Sequence, residues 1–191
     1  NTTGNATTAF GAGVLSANTT GSSNTGMGYQ AIHANIAGSS GSAFGYQTLL
    51  AATGDDNSAF GFKAGFKVTT GVRGSYFGSG CYGATTGSSN TGVGYEAMGG
   101  AGNATSAANN TMVGSTAGFS LTTGGTNTGV GAIALQSCTT GSANASVGAS
   151  SLSGLTTGSN NWAIGNASGA DAVNNVTTAN NTGTPQQLIQ T

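Results

Sequence analysis

The chain carries a glycine at a nearly constant interval, and an apolar residue precedes it each time. Successive glycines of this series are 17, 17, 16, 17, 16, 20, 17, 17 and 17 residues apart. A fixed period of this length is typical of repeat proteins, in which a unit that cannot bury its own apolar face stacks on its neighbours. The sequence therefore predicts an elongated stack of ten units. The recurring turn glycines are Gly11, Gly28, Gly45, Gly61, Gly78, Gly94, Gly114, Gly131, Gly148 and Gly165.

Each unit is numbered from its recurring glycine, which is position 0. The fullest copies, residues 19–32 and 85–98, read TTGSSNTGMGYQAI and TTGSSNTGVGYEAM. Position −3 is Thr or Ser in eight units, position −2 is mostly Ala or Gly, and position −1 is always apolar. This alternation predicts a short strand with one buried face and an inward ladder at position −1. The expected core ladder is Phe10, Met27, Phe44, Phe60, Phe77, Val93, Val113, Val130, Val147 and Ile164.

A second apolar cluster follows the glycine, with an aromatic residue at +1 in four units and Leu, Ile or Met at +4 in six. We therefore expect two short β-segments and two turns in each unit. A unit of this length suits one coil of a narrow β-solenoid, in which coils pair at ~4.8 Å. The predicted fold is an all-β solenoid (β-roll) of about ten coils of 16–20 residues over residues 1–170. Residues 171–191 are predicted to be a non-repeat tail or an inter-subunit connector, and residues 99–109 to hold a looped-out insertion.

Asparagine occupies position −4 in seven units, and two explanations stay open. Its side-chain amide can bond from coil to coil, as stacked asparagines do in cross-β structures. Alternatively, asparagine is preferred in turns because it tolerates left-handed backbone geometry. The Asn ladder consists of Asn24, Asn57, Asn90, Asn110, Asn127, Asn144 and Asn161.

Charged residues are scarce, at 7 of 191, and the formal net charge is −1. The three cations, Lys63, Lys67 and Arg73, cannot neutralise a run of phosphates, which argues against nucleic-acid binding. No apolar run reaches the length of a membrane span. Leu, Ile, Val and Phe together number only 29, so the core of each coil is thin and partner chains would add burial.

Groups suited to catalysis are few, so we expect no enzyme and no catalytic, cofactor-binding or metal site. His33 is the only histidine, and the four carboxylates are spread over the chain apart from the Asp55–Asp56 pair. We interpret that pair as a solvated turn; a weak cation site is the alternative, without the ligand spacing of a dedicated loop. An enzyme that degrades polysaccharides would need carboxylates clustered on one face, which these four do not provide.

The two cysteines fall at different positions of the repeat, Cys81 at +3 and Cys138 at +7. They are three coils apart, which is too far for a disulfide within one rod. Two explanations remain: the cysteines are small buried residues, or they cross-link neighbouring chains. The sequence favours the first.

The segments NTGMGYQAI, NSAFGFKAG and NTGVGYEAM resemble the repeats in the left-handed β-roll heads of trimeric autotransporter adhesins. They are also similar to repeat arrays in phage tail fibres and in bacterial surface proteins. The resemblance covers residues 2–170 and rests on the residues that build the coil. It implies a left-handed coil, three chains packed side by side, and a location outside the cell, on its surface or in a virion.

These features together predict a structural or adhesive subunit of an extracellular fibre or surface filament. The expected partners are other copies of the chain, as a lateral oligomer such as a trimer or as a head-to-tail fibre, together with a cell-surface glycan or protein receptor. In the head-to-tail case, residues 186–191 would pair with an exposed coil edge of another subunit. A phage tail fibre is one alternative. An ice-binding solenoid is another, because paired threonines recur at −9 and −8 in seven units.

Overall fold

The structure is a computed structural model and describes residues 3–100 and 106–170. These residues form ten three-residue β-strands, one in each coil, and contain no helix. Each strand covers positions −3 to −1 of its coil. The strands are β1 (Thr8–Phe10), β2 (Thr25–Met27), β3 (Ser42–Phe44), β4 (Ser58–Phe60), β5 (Ser75–Phe77), β6 (Thr91–Val93), β7 (Thr111–Val113), β8 (Thr128–Val130), β9 (Ala145–Val147) and β10 (Trp162–Ile164).

All ten strands lie in one parallel sheet, in the order of the sequence. Neighbouring strands pair at equal positions of the repeat, so that Phe60 lies opposite Phe44 on one side and Phe77 on the other. The register is kept across the longest gap, where Val93 pairs with Val113. One repeat is therefore one coil, and the predicted β-solenoid is confirmed. We number the coils 1 to 10 after their strands.

The expected core ladder lies on the outside of the coil, so its predicted inward direction is wrong. Seven of the ten side chains at position −1 are exposed, and the other three are partly buried. Position −2 points inward instead and is buried in every coil from the second to the tenth. The period of two is correct but its phase is inverted, because a large side chain at +4 occupies the interior of most coils and the small residue of −2 fits beside it. The residues concerned are Phe10, Met27, Phe44, Phe60, Phe77, Val93, Val113, Val130, Val147 and Ile164.

Position +4 supplies most of the large side chains of the interior. Ile32, Leu49, Met98, Leu135 and Leu152 are all fully or almost fully buried. The aromatic residues at +1 belong to the same predicted cluster but remain about half exposed. One or two large side chains per coil, such as Leu152 together with Leu155 in coil 9, therefore make up the core with small residues around them.

Two coils have a large interior side chain at −2. Tyr76 occupies −2 of coil 5, where the small residue that makes room for it is Gly83 at +5: a Cβ added there would lie 2.7 Å from the Tyr76 ring. Met112 also occupies −2, and a Cβ added to Gly118, at +4 of the same coil, would lie 2.7 Å from Met112 Cγ. Close-packed interiors tolerate changes of shape when the total volume is kept. Each coil therefore has a limited interior volume, and a large side chain at −2 can fill it in place of one at +4.

The segment after the recurring glycine is a run of turns, so the expected second β-segment is wrong. Residues at +2 and +4 adopt left-handed backbone, such as Gln47 with φ 51° and Leu49 with φ 46°. This conformation costs roughly 1–2 kcal/mol for a non-glycine residue. Hydrogen bonds to both adjacent coils offset it: the Gln47 N–H donates to the Tyr29 carbonyl at 2.8 Å, and the Leu49 N–H to the Ala64 carbonyl at 2.9 Å.

The described residues do not cover every prediction made from the sequence. Residues 171–191 lie outside them, so the tail or connector and the pairing of residues 186–191 stay predictions. The same holds for the part of the predicted insertion that falls on residues 101–105.

Candidate functional site

The most extended apolar surface consists of the ten side chains at position −1, which we call the outer ladder. Strand pairing arranges them in one row along the stack. Of the fourteen exposed large hydrophobic residues, seven belong to the outer ladder and four more lie at position +1. Exposure is therefore concentrated in two rows, of which the outer ladder runs through all ten coils, and apolar patches of this kind mark association surfaces. The four at +1, which we call the turn ladder, are Tyr29, Tyr46, Phe62 and Tyr95.

Aromatic rings in the first half of the chain stack along both ladders. Phe44 and Phe60 have ring centroids 4.7 Å apart, and Phe60 and Phe77 are 5.1 Å apart, with the planes nearly parallel. A second stack in the turn ladder has centroid distances of 5.3 Å for both of its pairs. Neighbouring rings cover each other's faces, so ring edges are directed at solvent. The ladders therefore suit contact with other side chains better than stacking of a sugar ring, which needs an open face.

The recurring glycines let successive coils approach closely beside the outer ladder. All ten have positive φ, as at Gly61 (129°) and Gly131 (135°). A Cβ at either position would also collide with the carbonyl oxygen of the glycine in the next coil. An L-residue is therefore excluded by its backbone conformation and by the lack of space.

The asparagines of position −4 are buried and bonded along the stack. From Asn110 to Asn161, each Nδ2 donates to Oδ1 of the preceding asparagine at 2.9–3.2 Å. The same oxygen accepts the backbone N–H of the next asparagine. Earlier in the chain, Asn24 and Asn57 each accept the backbone N–H of a glycine at this position in the next coil. None of the seven has positive φ, so bonding between coils, and not left-handed turn geometry, accounts for asparagine here.

A further row at position −6 escaped the sequence analysis. Hydroxyl oxygens of Ser22, Ser39, Ser142 and Ser159 accept the backbone N–H of the −6 residue in the preceding coil, at 2.9–3.1 Å. In coil 4 this acceptor is Oδ1 of Asp55, 2.7 Å from the Ser39 nitrogen. The recurrence of serine one residue after the TTG segment was the available signal. One carboxylate of the Asp55–Asp56 pair therefore serves the stack, which favours the structural explanation of that pair.

The threonine pairs divide into a bonded and an exposed row. At position −9, the hydroxyl of Thr69 donates to the Thr85 carbonyl at 2.8 Å, and that of Thr122 to the Thr139 carbonyl at 2.9 Å. At position −8 the threonines are exposed. The −9 hydroxyl is thus bonded to the next coil even in coil 2, where Thr19 and Thr20 are both exposed and the Thr19 hydroxyl donates to the Ile36 carbonyl at 3.0 Å.

Both cysteines are free and buried. Burial raises the pKa of Cys81 to about 12 and that of Cys138 to about 11. A thiol that stays protonated is a weak nucleophile, and neither is placed on the surface where it would reach another chain. The structure thus favours small buried residues over cross-links.

The groups suited to chemistry are dispersed in the described chain. His33 Nδ1 lies 2.7 Å from Ser16 Oγ and 2.9 Å from the Gly13 carbonyl oxygen, which links coil 2 to coil 1. Within residues 3–100 and 106–170, no three His, Cys, Asp or Glu side chains gather into a group able to hold a metal ion. The outer ladder remains the best candidate for a functional surface.

Comparisons with protein-family models, with curated proteins and with solved structures give no match to this chain. In the part of the chain that the structure describes, no helix has the length and apolar character needed to cross a membrane.

Proposed function

We propose that the chain is a structural or adhesive subunit of an extracellular fibre or surface filament. In this proposal copies associate side by side through the outer ladder. The observation that carries the proposal is a row of ten outward apolar side chains along the whole described solenoid. Covering such a row is favourable at about 25 cal/mol per Å² of apolar surface removed from water.

A second copy of this chain is the partner that fits the row best. The side chains of the outer ladder recur at the strand spacing of ~4.8 Å, so a partner must present matching features at the same interval over ten coils. Another copy does so by construction. The thin interior supplies a second reason, because a coil with only one or two large buried side chains gains much from burial between chains.

The resemblance to trimeric adhesin heads favours three chains around a common axis. The nearly uncharged surface of Ser, Thr and Asn suits an extracellular structural protein, whose working part is the rod itself. Under this proposal the chain catalyses no reaction, and any receptor, glycan or protein, binds the assembled surface. A phage tail fibre is a variant of the same architecture.

A triple substitution tests the lateral contact. Val113→Thr, Val130→Thr and Val147→Thr together keep the branched shape of the side chains but make three adjacent steps of the outer ladder polar. Sedimentation velocity over a concentration series should then show the midpoint of assembly raised about 10-fold or more, equivalent to at least about 1.4 kcal/mol.

The matched control changes three exposed threonines in coils 8 to 10. Thr123→Ser, Thr140→Ser and Thr157→Ser lie at position −8, away from the outer ladder, and should leave the midpoint unchanged. Wild-type protein that stays a single chain at every concentration would contradict the proposal. So would a valine variant that assembles at the wild-type concentration.

Ice binding is the second candidate, and the exposed threonine row at position −8 favours it. The row is one side chain wide, because the −9 hydroxyls donate to the next coil. We rank this function below the filament for that reason. Thermal hysteresis in a solution of the wild-type chain would support ice binding, and normal crystal growth would remove it.

A further inference from the structure

Large and small side chains occupy different halves of the outer ladder. Coils 1 to 5 carry Phe, Met, Phe, Phe and Phe at position −1, whereas coils 6 to 10 carry four Val and one Ile. The change falls between Phe77 in coil 5 and Val93 in coil 6. If one row is reversed and laid against another with its centre at this change, each large side chain meets a β-branched aliphatic one.

The turn ladder gives the same centre. Its aromatic residues lie at +1 of coils 2, 3, 4 and 6, and after the same reversal they would face coils 9, 8, 7 and 5. Those four coils have an exposed Ala or Ser at +1, so an aromatic ring again meets a small side chain in every case. Two separate rows therefore agree on one position for the axis of reversal. The facing pairs are Tyr29 with Ala149, Tyr46 with Ala132, Phe62 with Ser115, and Tyr95 with Ser79.

Opposite charges lie on the two sides of this centre. Lys63 in coil 4 has its Nζ 5.4 Å from the centroid of the Phe62 ring. Glu96 in coil 6 accepts a hydrogen bond from Tyr95, which raises the pKa of that tyrosine. Both charges therefore lie beside the turn ladder. After the reversal, coil 4 faces coil 7, so Lys63 lies one coil, about 4.8 Å along the rod, from Glu96 of a second copy; two parallel copies in register would separate them by two coils.

We propose that two copies pack antiparallel through the outer and turn ladders, about a two-fold axis that crosses the rods between coils 5 and 6. This inference rests on the proposed function, because it specifies the orientation of the lateral contact. Such an axis reverses one rod along its length but keeps each row opposite the same row of the other copy. The parallel packing of three chains that the resemblance favours would set large against large in one half and small against small in the other, which leaves the aliphatic half less closely packed. The antiparallel pair then replaces the trimer as the unit from which the fibre is built.

Cross-linking between two cysteine variants tests the orientation. In a chain with Cys81→Ala and Cys138→Ala, Met27→Cys marks the outer ladder in coil 2 and Val147→Cys marks it in coil 9, and these coils face each other in the antiparallel pair. The two variants are mixed 1:1 as single chains, allowed to assemble, treated with a short bis-maleimide and separated by denaturing electrophoresis. The mixture should give at least 10-fold more cross-linked dimer than either variant alone, because two copies of one variant hold their thiols seven coils, ~34 Å, apart.

A matched control and a second measurement accompany this test. In the control, Phe44→Cys in coil 3 replaces Val147→Cys; mixed with Met27→Cys it should give no more dimer than either variant alone, because the thiols lie six coils, ~29 Å, apart. The second measurement reverses charges in the otherwise unchanged chain. Lys63→Glu and Glu96→Lys should each raise the midpoint of assembly about 2- to 5-fold, and the double variant should return it to within about 2-fold of wild type.

Each outcome separates the orientation from the lateral contact itself. Dimers from each variant alone, with no gain on mixing Met27→Cys with Val147→Cys, would reveal a parallel contact; they overturn the antiparallel pair and leave the proposed function intact. Assemblies that give no dimer in any sample would place the contact away from the outer ladder and contradict both. If the cysteine variants stay single chains, the charge reversals decide: compensation in the double variant supports the antiparallel pair, and its absence overturns it.

Discussion

Coils 1 to 5 and coils 6 to 10 hold the same fold by different side-chain contacts. In the first half, aromatic rings stack along the outside, a tyrosine fills the interior, and glycine interrupts the asparagine row. In the second half the outer ladder is aliphatic, and the buried asparagines form an unbroken chain of amide bonds. The buried apolar residues also fall into two clusters, which divide near residues 84–98.

The difference shows which features the coil requires and which it can exchange. Both halves share the turn glycines, the strand at positions −3 to −1 and the hydrogen bonds between turns. Side chains at −4, −2, −1 and +4 vary, provided that the interior volume is kept and buried polar groups find partners. Repeat proteins distribute stability over neighbouring units, so one half can depend on ring stacking and the other on amides.

The turn glycines should give the largest effect, and an equal one in both halves. Gly61→Ala and Gly131→Ala each force an L-residue into φ near 130° and against a neighbouring carbonyl, and because strain and collision add, the cost should be about 5 kcal/mol or more. Urea unfolding of the two variants measures this. A much smaller cost in one half would show that the coils are not equivalent even in backbone.

Substitutions in the asparagine row should destabilise the second half more than the first. Asn127→Ala removes the Nδ2 bonds to Gly141 and Asn110 and the acceptor of the Asn144 N–H. With buried groups left unpaired at about 1–3 kcal/mol each, we expect a loss of about 3–5 kcal/mol. Asn24→Ala removes two bonds, to Gly38 and from Gly41, and should cost about 2 kcal/mol.

The two buried cysteines report where unfolding begins. Cys138 lies in the second cluster and Cys81 in the first, and the high pKa of both thiols slows alkylation until they are exposed. Asn127→Ala should accelerate alkylation of Cys138 more than that of Cys81. The control is Ala143→Ser, a substitution at an exposed residue in the same part of the chain as Cys138. Equal acceleration at both cysteines would mean that the halves unfold as one unit.

The exchange of interior volume can be tested as a pair in coil 7. Met112→Ala alone should cost about 2–4 kcal/mol through a cavity, and Gly118→Leu alone about 1–3 kcal/mol through overpacking. Together they restore the small −2 and large +4 residues of the other coils, and the double variant should lie within about 1 kcal/mol of wild type. Additive losses would show that the two positions do not share one space.

Ring stacking should give the smallest difference. Phe60→Ala breaks two stacked pairs in the outer ladder and should cost a single chain about 1–2 kcal/mol. Val130→Ala, also exposed but aliphatic, should cost about 0.5 kcal/mol. Thermal unfolding at low protein concentration compares them. Equal losses would remove stacking as a stabilising contact of the first half.

The sequence predicted the coil, its period and the position of the strand, because the glycine series and the alternation depend on backbone geometry. It did not predict the direction of the outer ladder. Apolar character favoured Phe44 over Ala43 as the buried residue, whereas Leu49 at +4 already fills the interior of that coil and Ala43 is the residue buried beside it. Left-handed Leu49 contradicts intrinsic preference, and the hydrogen bond from its N–H to the Ala64 carbonyl of the next coil holds it there, together with that from Gln47 to the preceding coil.

Alkylation of two adjacent engineered cysteines tests most directly whether the outer ladder points outward. In a chain with Cys81→Ala and Cys138→Ala, Val147→Cys places a thiol at position −1 and Ser146→Cys places one at position −2. In dilute solution the first should react on the order of 100-fold faster than the second, which reacts only on local opening. Assembly should then protect the first. The account would be contradicted if, in the single chain, the cysteine at position 146 reacted rapidly and the one at 147 were protected. It would also be contradicted if the cysteine at 147 stayed reactive after assembly.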